Sequence, residues 1–138
     1  MENTMNIIAV SCGFTTDKVQ ETKEFYEKHF GATTIFESDG YVNLKLGNTS
    51  TILEFTAPQN PEDKQSDNTG SGFNFEVDDV DLAYNKITSE KLNIVMPIED
   101  HPWGERGFGI KDPSGLTIYI FSITGEPTEE YKKYMKNI

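Results

Sequence analysis

The chain is poor in the residues from which most covalent and metal chemistry is built. Among its 138 residues there is one cysteine, Cys12, and there are two histidines, His29 and His101. A single cysteine excludes an internal disulfide and any cysteine-based zinc cluster, and it suits a reducing cytoplasm. Basic residues are scarce, 12 against 23 acids, for a net charge of −11. Such a surface repels nucleic acid and anionic membranes, so neither is expected as a partner; it is compatible with a cationic ligand. No apolar run is long enough to cross a bilayer. The opening MENTMNIIAV lacks the basic region of a secretory signal. Gly104, Gly107 and Gly109 are followed by no Lys-Ser/Thr pair, so they do not form a phosphate-binding loop. No Ser/His/Asp order or Cys-His pair suggests nucleophilic catalysis, and no catalytic residue is assigned.

What the chain does have is alternation. Residues 101–122 read HPWGERGFGIKDPSGLTIYIFS. At the centre, Asp112-Pro113-Ser114-Gly115 is a tight turn: Asp accepts backbone hydrogen bonds, Pro presets φ, and Gly supplies the positive φ that closes it. Asp112 is thereby read as a turn residue. The flanks are rich in β-branched and aromatic residues and predict two strands. Earlier in the chain, residues 6–13 predict a strand. Val19, Thr22, Tyr26 and Phe30 recur at helical spacing, with Phe25 and His29 alongside, and Gly31 closes the helix. His29 is read as structural. Period-two patterns over residues 34–37, 41–46 and 51–56 give three strands. After a polar stretch the pattern repeats: a strand at 72–77, a helix from Val80 towards Leu92, a strand at 93–96, a loop at 97–102 and the closing hairpin. The chain is thus expected to be one α+β domain of two β-α-β-β-β modules, 6–57 and 72–123. A linker at 58–71 joins them, and a short helix at 126–138 ends the chain.

Three stretches carry a family resemblance. Pro102-Trp103-Gly104, Arg106, Phe108, the Asp112–Gly115 turn, Ile118 and Ile120 resemble the closing hairpin of the glyoxalase/bleomycin-resistance/extradiol-dioxygenase superfamily, the vicinal oxygen chelate proteins. Lys23-Glu24-Phe25-Tyr26 with Phe30-Gly31 resembles its first helix end, and FNFEVDDVD, residues 73–81, resembles the opening of its second half. The resemblance implies a curved, eight-stranded mixed sheet around a cavity, helices on the outer face, and a homodimer. Metal-binding members use His or Glu on the first, fourth, fifth and eighth strands. Those positions carry over to Ser11, Glu54, Gly72 and Tyr119, of which only Glu54 is a strong ligand, so no metal and no cofactor are expected.

Strand alternation then sorts the side chains. Ile8, Val10 and Cys12, Leu53 and Phe55, Phe73 and Phe75, and Leu116, Ile118 and Ile120 are expected under the helices. That turns Ser11, Ile52, Glu54, Asn74, Glu76, Tyr119 and Phe121 inward, with Trp103 at the rim; these eight are the candidate ligand-binding residues. Lys111 is left unassigned to either face. The cavity so drawn suits a small organic ligand, cationic or aromatic. The leading expectation is a metal-free small-molecule-binding protein that resembles the bleomycin-resistance branch and its antibiotic-resistance role. The alternatives are an enzyme, either a lactoylglutathione-lyase-like lyase or isomerase, a dioxygenase, or a catalyst using Glu54 or Glu76 as acid and base, and a structural dimer without ligand.

Overall fold

Each half of the chain folds as a strand, a helix and three further strands. A computed structural model describes residues 5–60 and 68–136, and the chain divides into two compact units, Met1–Asn68 and Thr69–Ile138. The first unit holds β1 (Cys12–Thr15), α1 (Val19–Phe30), β2 (Thr33–Ser38), β3 (Tyr41–Lys45) and β4 (Ile52–Thr56). The second holds β5 (Gly72–Glu76), α2 (Val80–Ser89), β6 (Met96–His101), β7 (Glu105–Lys111) and β8 (Thr117–Ile123), followed by α3 (Glu129–Lys132). Residues 61–67 of the expected linker lie outside the described residues.

Strand order is β1-β4-β3-β2 in one sheet and β5-β8-β7-β6 in the other. In each, the first strand returns parallel to the last, and the remaining pairs are antiparallel. The single curved eight-stranded sheet expected from the sequence is therefore not formed; there are two separate four-stranded mixed sheets. The outer strands account for this. β1 offers only 4 residues for pairing. β2 is bulged between Thr34 and Phe36, and β6 is bulged between Met96 and Glu99 around Pro97, which has no N–H to donate.

One helix covers one face of each sheet. In the first unit, Val42, Leu44, Leu53 and Phe55 are buried beneath α1, whose Tyr26 ring stacks on Phe55 at 5.7 Å. His29 is buried against Phe25, with ring centroids 5.0 Å apart, as a structural residue. Gly31 ends α1 at φ +63°, a conformation that costs glycine least. In the second unit, Phe108, Ile110, Ile118 and Ile120 are buried under α2, whose Tyr84 meets Phe108 edge-on at 5.1 Å. Asp79 caps α2 by accepting from the Leu82 N–H at 3.0 Å.

Three boundaries depart from expectation. The first strand is Cys12–Thr15 rather than 6–13. Cys12 pairs with Leu53, the second residue of β4, so residues up to Val10 lie beyond the start of that strand. Ile8 and Val10, expected under the helices, are instead 90% and 75% exposed, and Cys12 is exposed too. The sixth strand runs through the expected loop 97–102, because an edge strand tolerates Pro97 and polar side chains on the side facing water. The C-terminal helix shrinks to Glu129–Lys132. Residues ahead of it are tied instead to the turn before β7: Thr124 N–H donates to Gly104 O and Thr128 N–H to Pro102 O, each at 2.9 Å. Gly104, at φ +98°, allows this approach, since a Cβ there would lie 2.6 Å from Gly125 O.

The turn between β7 and β8 is built on Asp112. Its buried carboxylate accepts from Ser114 N–H at 2.8 Å, Ser114 Oγ–H at 2.7 Å and Leu116 N–H at 3.1 Å. Asp112→Ala would strand two buried backbone donors, at about 1–3 kcal/mol each. We expect the urea midpoint to fall by the equivalent of about 2–4 kcal/mol with an unchanged m-value; a loss below about 0.5 kcal/mol would show that water replaces the carboxylate.

Candidate functional site

The face of each sheet opposite its helix is open, and alternation decides what it displays. In the first unit, one row runs from Gly13 on β1 through Glu54 on β4 to Asn43 on β3. Tyr41, two residues along β3 from Asn43, donates its hydroxyl to Glu54 Oε1 at 2.9 Å. That bond, with burial second, raises the Tyr41 phenol above its ordinary value. A Cβ at Gly13 would lie 3.3 Å from Glu54 Oε2, so the carboxylate leans over the glycine. Asn43 Oδ1 is buried without a donor. Ile52 is half-buried at the start of β4, opposite Lys45.

In the second unit, the open face carries a run of rings. Tyr119 stacks with Phe121 at 5.4 Å and approaches His101 at 6.2 Å. His101 lies flat on Trp103, 4.3 Å away at 6°, and Trp103 meets Tyr131 of α3 at 5.8 Å. Two glycines of β7 make the floor. A Cβ at Gly107 would lie 2.5 Å from the Tyr119 ring, and one at Gly109 would lie 2.8 Å from Met96 Sδ. These side chains can lie across the sheet only because β7 is bare there. Beside the rings, Gly70, Ser71, Gly72, Phe73, Asn74, Thr117 and Tyr119 line a hollow of about 390 Å³. Burial, with Glu105 and Glu99 adding to it, pushes the Tyr119 phenol up to about 12. The hydroxyl oxygen is buried, and no acceptor meets it in good hydrogen-bonding geometry.

The structure brings together Asn74, Tyr119, Glu76 and Phe121 in two paired rows across β5 and β8, with Asn74 and Glu76 exposed. Trp103 joins them through His101. Glu54 and Ile52 share the open face of the first unit. Ser11 is exposed ahead of β1 and belongs to no strand. Lys111 lies opposite Thr117 and so shares the open face of the second unit. Sequence reasoning missed His101, because β6 was read as a loop. It also missed Tyr41 and Asn43, although the alternation already seen in β3 places both on the face of Glu54. The carried-over metal positions do not assemble a donor set. Ser11 stands apart, Gly72 has no side chain, and no three or more His, Cys, Asp or Glu among the described residues are grouped to hold a metal ion. A divalent metal does not fit these residues.

Two units of the same β-α-β-β-β topology, each with its first strand parallel to its last, define the class of fold. Residues 8–120 match the Glyoxalase/Bleomycin resistance protein/Dioxygenase superfamily, and the chain belongs to it. Among solved structures, the chain is similar to TnmS3, an antibiotic-binding protein from a Streptomyces species. The two share 19% identity over 87% of this chain and 99% of that one, with a TM-score of 0.72. It is similar to a bleomycin-binding protein complexed with bleomycin, at 20% identity over 84% and 98%, with a TM-score of 0.64. It is also similar to a lactoylglutathione lyase from Agrobacterium tumefaciens, at 20% identity over 87% and 96%, with a TM-score of 0.67. No curated protein matches the chain. No helix among the described residues is long and apolar enough to cross a membrane.

Two measurements check the ring geometry. In an alkaline titration followed by tyrosinate absorbance, Tyr119 should ionise near 12, and Tyr119→Phe should remove that late step. Because the folded value lies above the unfolded value of about 10, Tyr119 contributes stability that is complete below pH 10 and lost between about 10 and 12. Gly107→Ala should displace the Tyr119 ring, altering the near-ultraviolet circular dichroism and costing about 1–3 kcal/mol. An unchanged aromatic spectrum would show that the ring does not rest on the strand.

Proposed function

We propose that this chain is a metal-free small-molecule-binding protein of the superfamily's antibiotic-binding kind, and that it receives a flat aromatic compound on the open face of its second unit. The observation that carries the reading is the run Phe121–Tyr119–His101–Trp103 over a glycine floor, beside a hollow of about 390 Å³. A planar ligand gains from stacking on such a run, at about 0.5–1.5 kcal/mol per ring pair beyond buried area. Trp103, at 42% exposed, is the accessible end. Asn74, exposed on the same face, supplies a polar contact. Glu76, Glu99 and Glu105 favour positive charge on the ligand, and Lys111 on the same face moderates that preference. TnmS3 binds an antibiotic and the bleomycin-binding protein binds bleomycin, which supports binding rather than turnover here. The single, exposed Cys12 fits a reducing cytoplasm as the compartment.

We also propose a homodimer. Met5, Ile7, Ile8 and Val10 are 72%, 69%, 90% and 75% exposed ahead of β1, a concentration of apolar surface that a second copy would cover. Sedimentation equilibrium at micromolar concentration should show a species twice the 15.6 kDa chain mass; only the single-chain mass would count against it.

Trp103 is the only tryptophan, so its fluorescence reports on the site directly. Proflavine, a planar aromatic cation, should quench it saturably, and an anionic naphthalene sulfonate should bind more weakly. Tyr119→Ala should weaken proflavine binding about tenfold, in line with the loss of one ring contact and its buried area. Unsaturable quenching by every aromatic compound tried would refute the reading.

A further inference from the structure

We propose that His101 sets the charge of the ligand that the ring run accepts: with a neutral imidazole the face favours a planar cation, and protonation of the imidazole removes that preference. The inference rests on the aromatic reading of the second unit. Its geometry begins with the imidazole as a member of the run. The ring lies on Trp103 at 4.3 Å and 6°, and it is 6.2 Å from Tyr119. A plane laid against Trp103 or Tyr119 is separated from the imidazole by at most one ring, a distance no longer than a Debye length of about 8 Å.

The surroundings of His101 leave its own charge as the variable. Glu105 stands opposite it on β7, where paired side chains start about 5 Å apart, and Glu99 lies two residues earlier on the same face of β6. These carboxylates draw a cation while the imidazole is neutral. No fixed base offsets them. Lys111 shares the face but pairs with Thr117, six residues along β7 from Glu105, about 20 Å away. Arg106 points to the other face, where Asp81 and Asp100 hold it. Lys132 of α3, the helix whose Tyr131 meets Trp103, is held by Glu126 and Glu129. The Tyr119 phenol is pushed up to about 12 and stays neutral well above neutral pH. Histidine is the side chain whose charge ordinarily changes between about pH 5 and 8, a span in which carboxylates ordinarily stay ionised. A proton on His101 therefore offsets one of the two negative charges. It also places a cation on the indole face, so a cationic ligand meets like charge within the stack.

The test measures binding of proflavine to the full chain by the anisotropy of the dye's own emission, at about pH 8 and about pH 5.5. The anionic naphthalene sulfonate is measured in parallel, and both probes keep their charge over that span. Acidification should weaken proflavine about tenfold and tighten the sulfonate. The midpoint of the change should coincide with that of the His101 imidazole proton resonance, identified by its loss in His101→Gln. In His101→Gln the proflavine affinity should not depend on pH. In His101→Arg, whose planar cation also stacks on indole, proflavine should bind weakly at both pH values. That variant carries the test should the first not fold. His29 is retained in both, so pH dependence that persists in His101→Gln would place the effect elsewhere and overturn the proposal. So would a pH-independent wild type, midpoints that disagree, or His101→Arg binding proflavine as tightly as the wild type does at about pH 8. Absence of saturable binding at either pH would remove the aromatic reading and this inference with it, whereas binding without pH dependence would remove this inference alone.

Discussion

In each unit one helix removes one row of apolar side chains from water: Val42, Leu44, Leu53 and Phe55 in the first, and Phe108, Ile110, Ile118 and Ile120 in the second, all at 0–1% exposure. Each such burial contributes about 1.5–3 kcal/mol, against about 1 kcal/mol for a typical hydrogen bond. A slip of one residue in any ladder would turn a whole row outward, and the ladder's hydrogen bonds are too weak to hold it there. The covered face therefore dictates the open face. Glu54 stands over Gly13 because Leu53 and Phe55 are under α1, and Tyr119 lies across Gly107 because Ile118 and Ile120 are under α2.

The same topology presents two different chemistries. The central strand next to the parallel edge bears a carboxylate, Glu54, in the first unit and a phenol, Tyr119, in the second. Each leans over a glycine, Gly13 beside one and Gly107 beneath the other. Glycine matters here through the space it leaves rather than through its φ, since neither position has the positive φ of Gly31 or Gly104. The first unit ends with an engaged carboxylate next to an unengaged amide oxygen. The second ends with rings in series and a hydroxyl whose ionisation burial pushes up to about 12. A repeated fold thus displays a carboxylate on one open face and a run of rings on the other without altering its strand order.

Much of this was legible in the chain. The alternation of Leu53 and Phe55 with Ile52, Glu54 and Thr56, and of Leu116, Ile118 and Ile120 with Thr117, Tyr119 and Phe121, assigns faces because one row is purely apolar. The Asp112 turn was legible because Asp-Pro-Ser-Gly has few other conformations. β1 was not, since residues 6–12 are as apolar as any buried strand. What leaves residues 8 and 10 in water is the point at which β4 begins, and that depends on a partner 40 residues away in the chain. β6 was missed for the opposite reason: its polar, proline-bearing sequence reads as a loop, and only its pairing with β7 makes it a strand.

The sequence by itself determined the repeated module, the turns, and which side of most strands meets the core, because these follow from local backbone preferences and a period of two. Tertiary structure decided the rest. The ladders stop at bulged or short outer strands, giving two sheets of four. His101 lies flat on Trp103 and within reach of Tyr119 because β6 pairs with β7. Tyr41 meets Glu54 because β3 and β4 pair in one register. Each of these depends on distances between residues remote in sequence, which no local preference encodes.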